Sequence, residues 1–384
     1  MMIRSHFVIL CLLVLHAASE YNFTGVVLLI PKLLIVNLHQ DIQDEMTIRA
    51  NALIKSMLSV LPQDQVHILS TNTKEAWKLD ILSKTVHHLI YLYDNTFAIN
   101  LICSHRVWPS VRKFQHISFF TLQTDHRNIV PWKQLENVYT KEKICYRRPM
   151  LPDTLKVTFA LSRFNSILSG VRESMEYAQF ALPQVKVVYV PPPLAINFQV
   201  SDKPTDVINI YLEYRNKSPS VSSACAEYIL NIIRLYRDKQ STDPDYLPIQ
   251  LIVSEQLPSN ISEITSHTIA SSNFTRSQFI SMMESLHVVT TAVRYGTENI
   301  VLEAQALGAM LLAPKDFIKQ EFHPLEHSII CNFARKSVER LHYFFNKKKE
   351  AAFKEYSAVN VEWARQRFTP ELTAEHYLRA IDSQ

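Results

Sequence analysis

The stretch RYGTENIVLEAQALGAMLLAP, Arg294 to Pro314, holds Gly296 and Gly308, two of the four glycines in a chain of 384 residues. Scarce glycines ask for a structural reason, because glycine tolerates left-handed backbone and close approach. From Thr297 the pattern TENIVLEAQAL reads as a helix. Ile300, Ala304 and Leu307 recur at helical spacing and form a packing face, while Asn299 and Glu303, four apart, share another face. Gly308 then reads as the left-handed cap that ends the helix. The apolar strand HVVTTAV precedes this helix directly, and AMLLAP follows it as another strand. The helix therefore starts at a strand's carboxyl end. Its first backbone N–H groups have no intrahelical partner there and suit a phosphate or diphosphate. Glu303 is a carboxylate that can accept from two neighbouring hydroxyls at once.

Outward from this segment the same alternation recurs. In the second half VINIYLEYR reads as strand, SSACAEYILNIIRLYRDK as helix and LPIQLIVS as strand. FTRSQFISMMESL reads as a helix with a capping box, Thr275 as N-cap and Gln278 three residues on. In the first half VVLLIPKLLIVN is a strand, followed by a helix with Met46, Ile48, Ala50, Leu53, Ile54, Met57 and Leu58 close to helical spacing. QVHILS, VHHLIYLYD, HISFFTLQTD, LKVTFALS and VKVVYVPP read as further strands, with helices near Trp77 to Leu82 and in SGVRESMEYAQFAL. Strands alternating with helices predict parallel sheets covered on both faces, and nearly continuous apolar strands fit such burial. The Pro-rich PPPLAINFQVSDKPTD reads as a linker between two α/β halves. Ligands in such sheets bind at the carboxyl ends of strands, and two facing halves make a cleft.

Composition narrows the function classes. Hydrophobic residues make up 47% and charged residues 20%, with a net charge of +4 and no basic arm or acidic tail, so charge does not suggest a nucleic-acid partner. Residues 1–19, MMIRSHFVILCLLVLHAAS, have the layout of a cleaved signal peptide, with an apolar run too short to span a bilayer. No later segment reads as transmembrane. The secretory pathway, meaning the lumen of the endoplasmic reticulum or Golgi, or export, is thus the expected location. Four cysteines remain after cleavage. They are either buried thiols or two disulfides, for which the division into halves favours Cys103–Cys145 and Cys225–Cys331. N-glycosylation sequons stand at Asn22, Asn216, Asn260 and Asn273. No G-x-S-x-G, H-E-x-x-H or Walker motif is present, and no Cys/His cluster suggests a metal.

The second half resembles the donor-binding domain of the GT-B glycosyltransferases, in particular the large retaining family four. YGTENIVLEAQALGAMLLAP is similar to that family's E-G-x-P-N-x-x-x-E-A-x-A-x-G-x-P-V segment at Gly296, Asn299, Glu303, Ala304, Ala306 and Gly308. LKVTFALSRFNSILSG, VKVVYVPPPL and WARQRFTPELTAEHYLRAI resemble other family segments more generally. The resemblance implies two Rossmann-like α/β domains facing across a cleft. With the signal peptide and linker read above, the expected division is signal peptide 1–19, an N-terminal domain 20–195, linker 196–205, a C-terminal domain 206–355 and C-terminal helix 356–384, and the resemblance makes the first domain acceptor-side and the second nucleotide-sugar-binding. It implies transfer of a sugar, with retention, from a nucleotide-sugar donor such as a UDP- or GDP-sugar to a glycan, lipid or protein acceptor, with no resident cofactor and no essential metal. Gly296, Thr297, Asn299 and Glu303 would bind the donor. Arg215 and Lys217 would neutralise the departing diphosphate, where negative charge develops. His126 would serve on the acceptor side. Three departures stand out: Tyr295 replaces the first glutamate of the family's E-x7-E pair, Tyr214 replaces a glycine before Arg215, and VNLHQDIQDE lacks the family's Gly-rich loop. They support an alternative, a catalytically degenerate binding or partner protein.

Overall fold

In a computed structural model, the described residues are 24–31, 45–93, 98–121, 129–135, 144–145, 153–170, 172–192, 194, 196–214, 219–255, 269–270, 274–292, 298–313, 328–330, 333–346 and 350–382. They form two compact units. One comprises Met1–Gln40, Met46–Ala195 and Phe368–Gln384, and the other comprises Asp41–Glu45 and Ile196–Arg367.

The first unit is built on a six-stranded parallel sheet of β1 (Val26–Ile30), β2 (Val66–Ser70), β3 (His88–Tyr93), β4 (His116–Thr121), β5 (Ser166–Ser169) and β6 (Lys186–Tyr189), in the order β2-β1-β3-β4-β5-β6. All five residues of β1, VVLLI, are buried, as expected of a central strand covered on both faces. Helix α1 (Glu45–Val60) follows β1 and buries Ile48, Leu53, Ile54 and Met57, but Leu58 faces solvent. The next helices are α2 (Ala76–Leu82), α3 (Ala98–Ile102) and α4 (Val107–Val111).

One expectation is overturned here. LKVTFALS is not a strand: Asp153–Leu161 form helix α5, and the strand lies further on, at Ser166–Ser169. Residues Val157 to Leu161 are buried in succession, so no single apolar stripe betrays the helix in sequence. Thr158 Oγ1 donates to Thr154 O, four residues back, and accepts from the Val130 N–H, both at 2.8 Å. Tertiary burial thus overrides the strand preference of Val157 and Thr158. Helix α6 (Arg172–Ala181) then leads to β6.

The second unit carries β7 (Ile208–Glu213), α7 (Pro219–Gln240), β8 (Ile249–Val253), β9 (Ile269–Ala270), α8 (Arg276–Glu284), β10 (Val288–Thr291), α9 (Glu298–Ala306), β11 (Met310–Ala313), β12 (Ser328–Ile330), α10 (Ala334–Phe344) and α11 (Glu350–Phe368). Its six strands are parallel in the order β12-β11-β10-β7-β8-β9. Counted within the unit, this is the doubly wound 3-2-1-4-5-6 order read from the other edge, with its switch point between β7 and β10. Successive side chains leave a strand on opposite faces. Ile210, Leu212, Leu251, Val288 and Leu312 accordingly join one core, while Tyr211, Ile252, Val289 and Leu311 join the other.

Gly308 caps α9 with φ +87°. The Gly308 N–H donates to Gln305 O and the Ala309 N–H to Ala304 O, the paired bonds of a Schellman motif. A side chain there would also be blocked, since a Cβ would lie 1.9 Å from Ser357 Oγ. The final helix, α12 (Pro370–Asp382), belongs to the first unit, where Tyr377 and Ala380 enter the core.

Cys103 and Cys145 form a disulfide. The pairing of Cys225 with Cys331 is not found: Cys225 is a free thiol on α7, packed against apolar neighbours, and burial raises its pKa. Cys331, the signal peptide and all four sequon asparagines lie outside the described residues. Among the described residues no helix is long and apolar enough to cross a membrane.

Candidate functional site

The candidate site lies at the switch point of the second sheet. Ligands of doubly wound folds settle beyond the carboxyl ends of the two strands at which the order reverses, here β7 and β10. Their last residues, Glu213 and Thr291, are cross-strand neighbours, and the Ala292 N–H donates to Glu213 O. Helix α9 starts a few residues after β10.

Within α9, Asn299 lies in the first turn and Glu303 one turn on, with Ile300, Val301, Ala304 and Leu307 in the core below, as the helical spacing predicts. The opposite face is not solvated. Asn299 is 1% exposed and Glu303 fully buried, so α9 is enclosed on both faces. The two polar residues are treated differently. Both ends of the Asn299 amide are buried without a hydrogen-bond partner. Such a group costs free energy unless something else supplies a partner, which makes it a marker for a ligand.

Glu303, in contrast, is held at both carboxylate oxygens by Arg276 of α8. Arg276 Nη1 donates to Oε2 at 2.8 Å and Nη2 to Oε1 at 2.5 Å, the two-pronged geometry of the strongest ion pairs. Each carboxylate oxygen retains one lone pair for a further donor. The Thr275 capping box, formed as expected with Gln278, sets where α8 begins and so where Arg276 stands.

Sequence reasoning missed Arg276, and it also missed Glu213. The Glu213 carboxylate is 3% exposed and accepts from Tyr211 Oη at 2.7 Å, two residues back on the same strand face. Beyond it, Tyr214 fills the core with its ring, while Ser254 Oγ accepts from its N–H at 2.7 Å and donates to its carbonyl at 2.6 Å. Ser254 thereby ties the end of β7 to the end of β8. A glycine at 214 would leave that core position empty, which explains the large residue in physical terms. Of the residues singled out in the sequence, Asn299 and Glu303 are brought together on one helix. His126, Arg215, Lys217, Gly296, Thr297 and also Tyr295 lie outside the described residues.

No family model matches the chain, and no curated protein matches it in sequence. Solved structures do match in fold. A Staphylococcus aureus TarM variant, in complex with UDP among other ligands, aligns with a TM-score of 0.50 at 10% identity over 80% of this chain. The chain spans 58% of that protein's length. Anabaena HepE in complex with UDP and glucose aligns with a TM-score of 0.53 at 8% identity, over 94% of this chain and 100% of its own. A Listeria monocytogenes protein described as a UDP-N-acetylglucosamine 2-epimerase aligns at 0.50 and 10% identity, over 93% and 96% of the two chains. With two parallel doubly wound sheets on consecutive units and these structural neighbours, the chain has the fold of the GT-B glycosyltransferases.

Proposed function

We propose that this protein binds a nucleotide sugar at the carboxyl ends of β7 and β10 and transfers the sugar to a glycan, lipid or protein acceptor in the secretory pathway. The observation that carries the reading is the buried, partnerless amide of Asn299 in the first turn of α9, at the switch point of the sheet. A donor lying there takes hydrogen bonds from Asn299 and the first N–H groups of α9, around Gly296 and Thr297. Its sugar or ribose hydroxyls donate to the free lone pairs of Glu303. Arg215 and Lys217, just past β7, meet the diphosphate and stabilise the charge that grows on it as the sugar departs. His126 acts on the acceptor side. The resemblance to family four favours retention of configuration and no essential metal.

Thermal stabilisation by UDP, GDP and their sugars tests this directly. Wild-type protein is expected to be stabilised by one of them. Asn299→Leu removes a buried amide without a partner, so the unliganded protein should melt at the same temperature or higher. Its nucleotide response should be lost. A response left intact by this substitution would show the site to be misplaced.

A second reading, binding without catalysis, is favoured by the Arg276–Glu303 ion pair, because the one glutamate of the family pair that is present already has a protein partner. Tyr295 points the same way. Nucleotide release from a bound nucleotide sugar separates the two readings. Binding with no release, with or without acceptor, would support the second.

A further inference from the structure

A cavity of about 540 Å³ opens at the other ends of the same strands, among residues that precede β7, β8 and β10 and residues of α10 and α11. This volume falls within the range of small-molecule sites. One wall is aromatic: Phe344, Phe345 and Phe353, with the rings of Phe345 and Phe353 centred 5.0 Å apart. The His287 ring packs against both. Its Nδ1 accepts from the Asn209 N–H at 3.1 Å, and its Nε2 lies 2.9 Å from Pro204 O. The first contact requires a bare Nδ1, so the second must be an N–H donating to the carbonyl. With both nitrogens committed, His287 presents only its ring to a ligand.

The polar side of the cavity centres on Lys203. Lys203 Nζ donates to Glu284 O at 3.1 Å and to Leu307 O at 3.0 Å, the carbonyls at the ends of α8 and α9. An ammonium has three donors, so one remains. Ser201 and Ser357 stand beside the cavity, but their hydroxyl oxygens are buried beneath its surface. The carboxylate of Asp202 and the ammonium of Lys354 are on exposed residues of the lining. A negatively charged acceptor completes the Lys203 end, and a flat apolar body completes the aromatic wall.

We infer that this cavity is a second binding site, separate from the nucleotide-sugar site, for a small organic carboxylate with an aromatic body, whose carboxylate meets Lys203 and whose ring lies among Phe344, Phe345 and Phe353. Burial pushes Lys203 down to about 7, opposed by the nearby Glu284. His287 is pushed down to about 4 and stays neutral beside it. Lys203 is therefore charged on the acid side of neutrality and loses its proton as pH rises.

The test uses the full chain with phenylpropionate and phenylpropionamide as matched probes, followed by ligand-detected NMR titration and thermal shift. The carboxylate should bind at least about tenfold more tightly than the amide at about pH 6, and that preference should fade by about pH 8.5. Ala358→Trp places a ring at the exposed rim on α11 without removing a native contact and should abolish binding. Lys203→Met should remove the preference for the carboxylate. No binding by the wild-type protein, equal binding of acid and amide at about pH 6, or binding that survives Ala358→Trp would each overturn the assignment. UDP and GDP responses of Ala358→Trp are read in parallel and should match wild type, so failure of this site is distinct from failure of the nucleotide-sugar site.

Discussion

The Arg276–Glu303 pair concentrates the energetics of the candidate site in two side chains. The carboxylate is fully buried and the guanidinium largely so. Burying both charges is costly, and their mutual attraction with two good hydrogen bonds offsets that cost. Removing only one partner leaves a bare charge in the interior. Arg276→Met should therefore destabilise the second unit by roughly 3–5 kcal/mol, measured by urea unfolding. Arg276→Met combined with Glu303→Leu should recover much of that loss. If the double variant is as unstable as the single one, the pair is held for packing and not for charge. Glu303 was legible in the sequence because it stands at a fixed helical spacing from Asn299 and Gly308. Arg276 was not, because it lies 27 residues away on another helix and nothing local marks its partner. The first position of a capped helix reads as solvent-facing until the tertiary structure turns it inward.

Helix α8 shows what local sequence can specify. Thr275 and Gln278 satisfy each other's backbone N–H groups, a bond pattern set within four residues, and both halves of the box are present. Thr275→Ala should cost about 1 kcal/mol of stability, read as a shift in the denaturant midpoint. Arg276 is the next residue, so fraying of this end should also loosen the grip on Glu303, and the nucleotide response should weaken with it. An unchanged midpoint would mean that the tertiary contacts of Phe279 and Met283 hold the helix without the cap. Gly308 was equally legible, since a left-handed cap demands glycine whatever surrounds it. Helix α5 was not. Its apolar run buries five residues in succession, and such a run has no periodicity to separate helix from strand. The order of the strands also lay beyond local reading. Alternating elements announce parallel sheets, but the place where the order reverses depends on which strands meet across long separations. That reversal is what locates the candidate site.

At the scale of the whole molecule, the two units should share one response to acid and differ in their response to truncation. Burial is the main cause that pushes His88 of the first unit down to about 4, aided by His116, stacked on it at 4.9 Å, and His87. His287 of the second unit is also pushed down to about 4, by burial and by Lys203. In the unfolded chain each imidazole titrates near 6.5. Between about 4 and 6.5 the unfolded state binds protons that the folded state does not, so stability falls as pH drops through that window. Lys203 has the same sign above neutrality, between about 7 and 10.5. The urea midpoint should therefore rise with pH across both windows, and a flat profile from about pH 4 to 6.5 would show the histidines to be solvated. Truncation should tell the units apart. Helix α12 comes last in the chain yet serves the first unit. Thr373 Oγ1 donates to Pro191 O at 3.2 Å, Lys186 Nζ donates to Ala380 O at 3.4 Å, and the Tyr377 ring is fully buried in that unit's core. Deleting residues 370–384 empties the Tyr377 seat alone at a cost of roughly 3–5 kcal/mol. Amide exchange should then speed up in β1 and β3 to β6 while the strands of the second unit keep their protection. The nucleotide response should persist, because no residue assigned to the donor lies in the first unit. Equal loss of protection in both units would show that they unfold as one cooperative body.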